Sequence, residues 1–170
     1  MFPPVDTKNA QAVAAFASAK FAEMYPDASL QWLETLFRDM ADLFLGRNPD
    51  YAPVDLGYHD LEHTLQATVC ITLLLEGRHH AAVEPRLTPR QFELALSAVL
   101  LHDAGYLKLR SDRVGTGAKY TFCHVLRSCS FAASYLPTIG AYDQVVEAVL
   151  GAINCTGSTK EISRLHFREP

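Results

Sequence analysis

The stretch LGYHDLEHTL, residues 56–65, carries His59 and His63 four positions apart, with Asp60 and Glu62 beside them. Four residues is about one helical turn. The spacing therefore predicts two imidazoles on one face near the start of a helix. A second stretch, ALSAVLLHDAGY, is apolar until it reaches His102 and Asp103. Two ionisable groups at the end of a buried apolar helix are costly unless they are paired or bound to a metal. Imidazole nitrogen with carboxylate oxygen is an ordinary ligand set for Zn, Mn or Fe. Either motif alone is weak: helices carry H-x-x-x-H pairs by accident, and an Asp after a His can cap a chain exit. The two together point to a metal site.

The remaining polar residues have blander readings beside functional ones. His79 and His80 read as part of a solvated loop. Lys108, Arg110, Arg113, Lys119 and Arg127 make the region after the His-Asp pair basic, which suits either a phosphate-binding rim or a solvated loop. Gly115 and Gly117 lack the preceding strand that a nucleotide fingerprint needs. The four cysteines, Cys70, Cys123, Cys129 and Cys155, form no C-x-x-C pair. They are expected to be reduced and mostly buried.

The elements that must position these groups are helical almost throughout. Helices are expected over 9–24, where Phe16, Phe21 and Met24 suggest an apolar stripe, and over 29–45, where Leu30, Leu33, Leu36, Phe37, Met40, Leu43 and Phe44 recur at three- and four-residue steps. Further helices are expected over 58–76, 88–103, 120–136 and 142–154. Loops are expected at 46–57, 77–87 and 104–119. Thr88-Pro89-Arg90-Gln91 predicts a capping box with Pro in the first turn. Strand signals are weak everywhere. The fold class is therefore all-α, a compact bundle of about six to seven helices, with residues 1–50 packing on a core formed by 51–170.

The chain has 170 residues and a formal net charge of −4, so nothing favours nucleic acid or an anionic membrane surface. No apolar run approaches the roughly 20 residues that cross a bilayer. The N-terminus lacks the basic-then-apolar pattern of a signal peptide, and a cytoplasmic protein is expected.

GYHDLEHT is similar to the Y-H-N-x-x-H motif of the cyclic-nucleotide phosphodiesterase-like branch of the HD superfamily of metal-dependent phosphohydrolases. LLHDAGY resembles that superfamily's signature His-Asp. CHVLRSCSFAASYL and VVEAVLGAINCTG resemble its later helices, so the resemblance spans residues 58–157. It implies an HD-type helical domain in which His63, His102 and Asp103 hold a divalent metal (Mn, Fe, Mg, Zn or Ni). It implies that His59 and Asp103 are catalytic, with His59 protonating the leaving oxygen, and that His124 serves a second metal or the substrate phosphate. Lys108 and Arg127 would be phosphate-binding candidates. The substrate would be a small phosphorylated molecule, a nucleotide above all.

The chain departs from the pattern at three places. Asp60 replaces the usual Asn, either orienting a ligand histidine from behind or capping the helix. Tyr106 stands where some members have a further His. The Asp expected from a later helix has no match: Asp143 comes too early, and Glu147, Glu161 and His166 lack its context. Either that helix lies beyond residue 170 or the ligand is absent. The alternative to an enzyme is therefore a catalytically degenerate domain that binds a nucleotide or regulates a partner. A third reading is an interaction domain that homodimerises through the apolar stripe at 30–45.

Overall fold

The stripe at Leu33, Leu36, Phe37, Met40, Leu43 and Phe44 is the strongest periodic signal in the chain. In the computed structural model, which describes residues 5–157, it forms helix α2 (Gln31–Phe44). None of those six side chains is more than 4% exposed. These six side chains are thus buried within their own chain, whereas Leu30 precedes the helix half-buried and Leu45 just past it is exposed. Helix α1 (Ala10–Met24) starts at Asn9, whose Oδ1 accepts the backbone N–H groups of Gln11 and Ala12. Its buried stripe is Val13, Ala17, Phe21 and Met24; Phe16 lies to the side of it, half-buried.

Helix α3 (Leu61–His80), α4 (Pro89–Leu101), α5 (His124–Tyr135) and α6 (Asp143–Asn154) complete an all-α bundle. Short 3-10 turns lie at Ala104–Tyr106, Gly117–Tyr120 and Leu136–Ile139. No strand occurs among the described residues beyond one isolated bridge, Tyr51 to Leu109. None of their helices is long and apolar enough to cross a membrane. Helix α4 is central, packing against α2, α3 and α6, while α1 covers α2 and α3. The expected capping box is present, with Thr88 and Gln91 reciprocally bonded. Because α4 is central and its Phe92, Leu96, Ala98, Leu100 and Leu101 are buried, the His102-Asp103 pair at its C-terminal end is delivered to the interior.

Three boundaries differ from expectation. Helix α3 begins at Leu61, because Asp60 is extended and caps it. It runs through Gly77 to His80, so His79 and His80 occupy its last turn and not a loop. Glycine in a helix costs about 1 kcal/mol; the packing of α3 on α1 and α4 outweighs that. On its buried face Thr64, Thr68 and Thr72 stay satisfied because each hydroxyl donates to the carbonyl four residues back. Helix α5 begins at His124, preceded by the Gly117–Tyr120 turn, not at residue 120. The cysteines also differ: Cys129 is buried, while Cys70, Cys123 and Cys155 are exposed.

Tyr135, the last residue of α5, donates its phenol to Asp39 Oδ2 on α2 at 2.9 Å. Burial pushes its pKa well up, and the Asp39 carboxylate pushes it in the same direction. The folded state therefore holds the neutral phenol, whereas an unfolded tyrosine ionises near pH ~10. The stabilisation is fully present below that pH and is lost as pH rises toward the folded value. Urea midpoints measured from pH 8 to 11 should fall at the alkaline end. Tyr135→Phe should flatten that fall, and an unchanged alkaline arm would remove the linkage.

Candidate metal centre

Asp103 follows the last turn of α4 and is 1% exposed. Its Oδ2 is the focus of three imidazoles: His59 Nδ1 at 2.8 Å, His102 Nε2 at 3.2 Å and His63 Nε2 at 3.7 Å. Ligand-type atoms of His59, His63 and Asp103 lie within 4.8 Å of one another. The sequence reading placed His59 and His63 on one helix. The structure brings them together differently. His59 precedes the helix, and the turn at Asp60 folds it back so that the two rings sit 5.5 Å apart. Asp60 accepts the backbone N–H of His63 at 2.9 Å. It therefore acts as the helix cap and orients the His63 backbone, not its imidazole.

The proton positions follow from the partners. A carbonyl oxygen can only accept, so His102 Nδ1, 2.7 Å from the Val99 carbonyl, carries a hydrogen. That leaves Nε2 to face Asp103, or a cation in its place. His124 is held in the same way, with Nδ1 donating to the Thr121 carbonyl at 2.7 Å. Burial pushes the Asp103 carboxyl up, but the His102 and His59 imidazoles more than offset this and hold it below the usual carboxylate range. Burial pulls His102 down, but the Asp103 carboxylate outweighs it and the imidazole is raised. His63 is lowered, first by burial and then by the neighbouring His102 and His59, against the pull of Asp103. A neutral His63 is the form that offers a lone pair to a metal.

Tyr106 holds the second side of the site. It is buried, and its ring stacks on both His59 and His124 with centroids 4.5 Å apart in each case. Burial raises its phenol pKa, so it stays a neutral spacer between the two imidazoles. Behind it, the fully buried Ser128 Oγ accepts the Gly105 N–H at 2.8 Å and donates to the His102 carbonyl at 2.5 Å. This hydroxyl ties the His102–Tyr106 segment to α5. Ser128→Ala leaves both backbone groups buried and unpaired, so a loss of about 1–3 kcal/mol is expected. Denaturant unfolding measures it, and a loss under about 0.5 kcal/mol would mean the tie is not needed.

The basic residues lie elsewhere. Lys108 pairs with Asp55 at 3.0 Å. Arg127 donates to the carbonyls of Gly105 and Leu107 at 2.7 and 2.9 Å and lies over the Tyr120 ring. Arg110 donates to the Gly46 and Asn48 carbonyls, and Lys119 pairs with Asp112. These cations pin loops, and neither Lys108 nor Arg127 lines the cleft into which the imidazoles open. Asp143 and Glu147 are exposed on α6 and do not line the cleft either. Glu161 and His166 fall outside the described residues.

The cleft has a volume of about 600 Å³, and Tyr58, His59, His63, His102, Asp103 and His124 form its polar lining together with Thr156. That volume suits a small molecule. Ser128, Tyr58 and Thr156 were not named as site residues from sequence, although Tyr58 opens the YHDLEH stretch and the other two lie in the later stretches that carry the resemblance. No known protein family, curated protein or solved structure matches the chain.

Proposed function

We propose that this chain is a metal-dependent phosphohydrolase acting on a small phosphoester, whether a nucleotide, a cyclic nucleotide or a phosphomonoester. The observation that carries the reading is the buried Asp103 carboxylate faced by three imidazoles at the wall of an open cleft. Among the described residues the group whose ligand atoms lie within 4.8 Å of one another is His59, His63 and Asp103; His102 stands outside that group but faces the same Asp103 oxygen through Nε2 at 3.2 Å. His63 is held neutral, His102 presents Nε2, and Asp103 stays ionised despite burial. His63, His102 and Asp103 would hold the ion, which in that position supplies Lewis acidity toward a phosphoryl oxygen and lowers the pKa of water.

The chain's own groups do the rest. His59 bonds Asp103 through Nδ1, which fixes its ring and leaves Nε2 to carry a proton to the leaving oxygen. His124, whose Nδ1–H is committed to the Thr121 carbonyl, would donate to another phosphoryl oxygen when Nε2 also carries a proton. Tyr106 sets the spacing of these two imidazoles.

Elemental analysis of the purified full chain, with hydrolysis of a broad phosphoester panel by it and by His102→Ala, tests the reading. About one metal ion per chain is expected, with loss of both metal and activity in the variant. A chain without metal whose activity is unchanged by His102→Ala sinks the proposal. One observation favours a binding module instead: Asp103 is the sole carboxylate lining the cleft among the described residues. Stoichiometric metal and phosphoester binding without turnover would select that alternative.

A further inference from the structure

The cleft changes chemistry away from Asp103. On α3, His63, Ala67 and Ile71 follow at four-residue steps; on α4, Ala95, Val99 and His102 follow at steps of four and three. Each helix thus presents one stripe with a histidine at one end. His63 lies in the first turn of α3, and His102 caps the C-terminal end of α4. The two helices pack together, and both histidines meet at Asp103, so the stripes run side by side away from it. Ala98 and, from α6, Ala152 complete the walls. From His63 to Ile71 the helix rises ~12 Å.

Among the described residues six side chains line this slot: Ala67, Ile71, Ala95, Ala98, Val99 and Ala152. Four are alanines, and their small size is what leaves the space open. None has a hydrogen-bonding atom, and the backbone groups of mid-helix residues are bonded within their own helices. A nucleobase placed there would lose water from its polar edge and find no partner. Among the described residues no Lys or Arg lines the cleft to meet a polyphosphate. An alkyl group, by contrast, gains from leaving water.

We propose that the slot binds the alcohol part of the substrate and that this alcohol is aliphatic: the site takes an alkyl phosphoester, with its phosphate at the His-Asp cluster and its chain between α3 and α4. The phosphate end rests on the phosphohydrolase reading; the slot rests on its walls alone.

The test is calorimetric titration of the full chain, with and without Mn²⁺, using methyl-, butyl- and hexylphosphonate, which have no ester bond to cleave, and adenosine monophosphate. Affinity should rise by about two- to fourfold per methylene, and hexylphosphonate should bind more tightly than the nucleotide. Ala95→Leu, two turns from His102, and the exposed Ala152→Leu put bulk into the slot. At least one of them should cost hexylphosphonate tenfold more affinity than methylphosphonate. A flat series in the unaltered protein, tighter nucleotide binding, or a gradient that survives both variants overturns the slot assignment. A protein that takes up no metal yet keeps the chain-length gradient removes the phosphohydrolase reading and leaves the slot standing.

Discussion

On the proposed metal-dependent reading, Asp103→Asn is expected to abolish metal binding while leaving the chain folded. Asparagine matches aspartate in shape, so the packing at the end of α4 is kept. The charge is lost, and with it the feature that lets three imidazoles converge on one buried oxygen. Changes to groups that merely support a ligand cost about 10–100-fold in metal affinity, so removing the carboxylate ligand itself should cost at least that much. Hydrolysis of 4-nitrophenyl phosphate should fall to background. A structural reading of Asp103 also predicts some loss of stability, so a second readout is needed. In the metal-free protein Asp103 raises the His102 pKa against the effect of burial. In the variant only the Val99 carbonyl still opposes burial, and the His102 titration followed by NMR should move down.

The sign of the accompanying stability change follows from the same pair. A raised His102 stabilises fully below the unfolded histidine value near pH ~6.5 and loses that as pH rises through its folded value. A lowered Asp103 stabilises above the unfolded value near pH ~3.9 and loses that as pH falls. The metal-free variant should therefore be most destabilised between these two values. A variant that keeps its metal and its His102 titration would remove Asp103 from the centre of the site.

Local rules carried the sequence reading a long way. The six-residue stripe of α2 and the capping box of α4 are set by residues within a few positions of each other, and both are found where expected. That His59, His63 and His102 all face Asp103 follows from no spacing within the chain, because none says that α3 and α4 meet at those ends. His59 was paired with His63 for the wrong local reason. An extended Asp60 cap starts the helix only after His59, and the tertiary bond to Asp103 then brings His59 back to it. For Lys108 and Arg127 the charge is visible in the sequence and the partners are not. Asp55 and the carbonyls of Gly105 and Leu107 reach them only across the fold. Tyr106 was noted only as a departure, yet its buried ring stacks on two site histidines.

Gly105→Ala is expected to be the most damaging single-methyl change in the described chain, and its reason lies in the same region. The turn Ala104–Tyr106 sits directly on the start of α5. A Cβ at residue 105 would stand 1.9 Å from the His124 carbonyl oxygen and 2.7 Å from the Ser128 nitrogen. Both are backbone atoms, so no rotamer change relieves the clash and α5 must move as a unit. Overpacking of a tight contact costs about 1–3 kcal/mol, and a clash this short belongs at or above the upper end. For a chain of this size ~3 kcal/mol corresponds to a fall in Tm of about 6–12 °C. Gly151→Ala is the control: it lies in α6 with nothing within 4 Å of its added methyl, and it should stabilise by up to about 1 kcal/mol. The displacement also reaches the site. Moving α5 breaks the Ser128 tie to Gly105 and His102 and carries His124 away from Tyr106. Metal affinity should fall with stability in Gly105→Ala, while Gly151→Ala leaves it unchanged. A Gly105→Ala protein with normal Tm and normal metal content would mean that the turn bearing Tyr106 does not seat on α5, and the placement of His124 in the site would go with it.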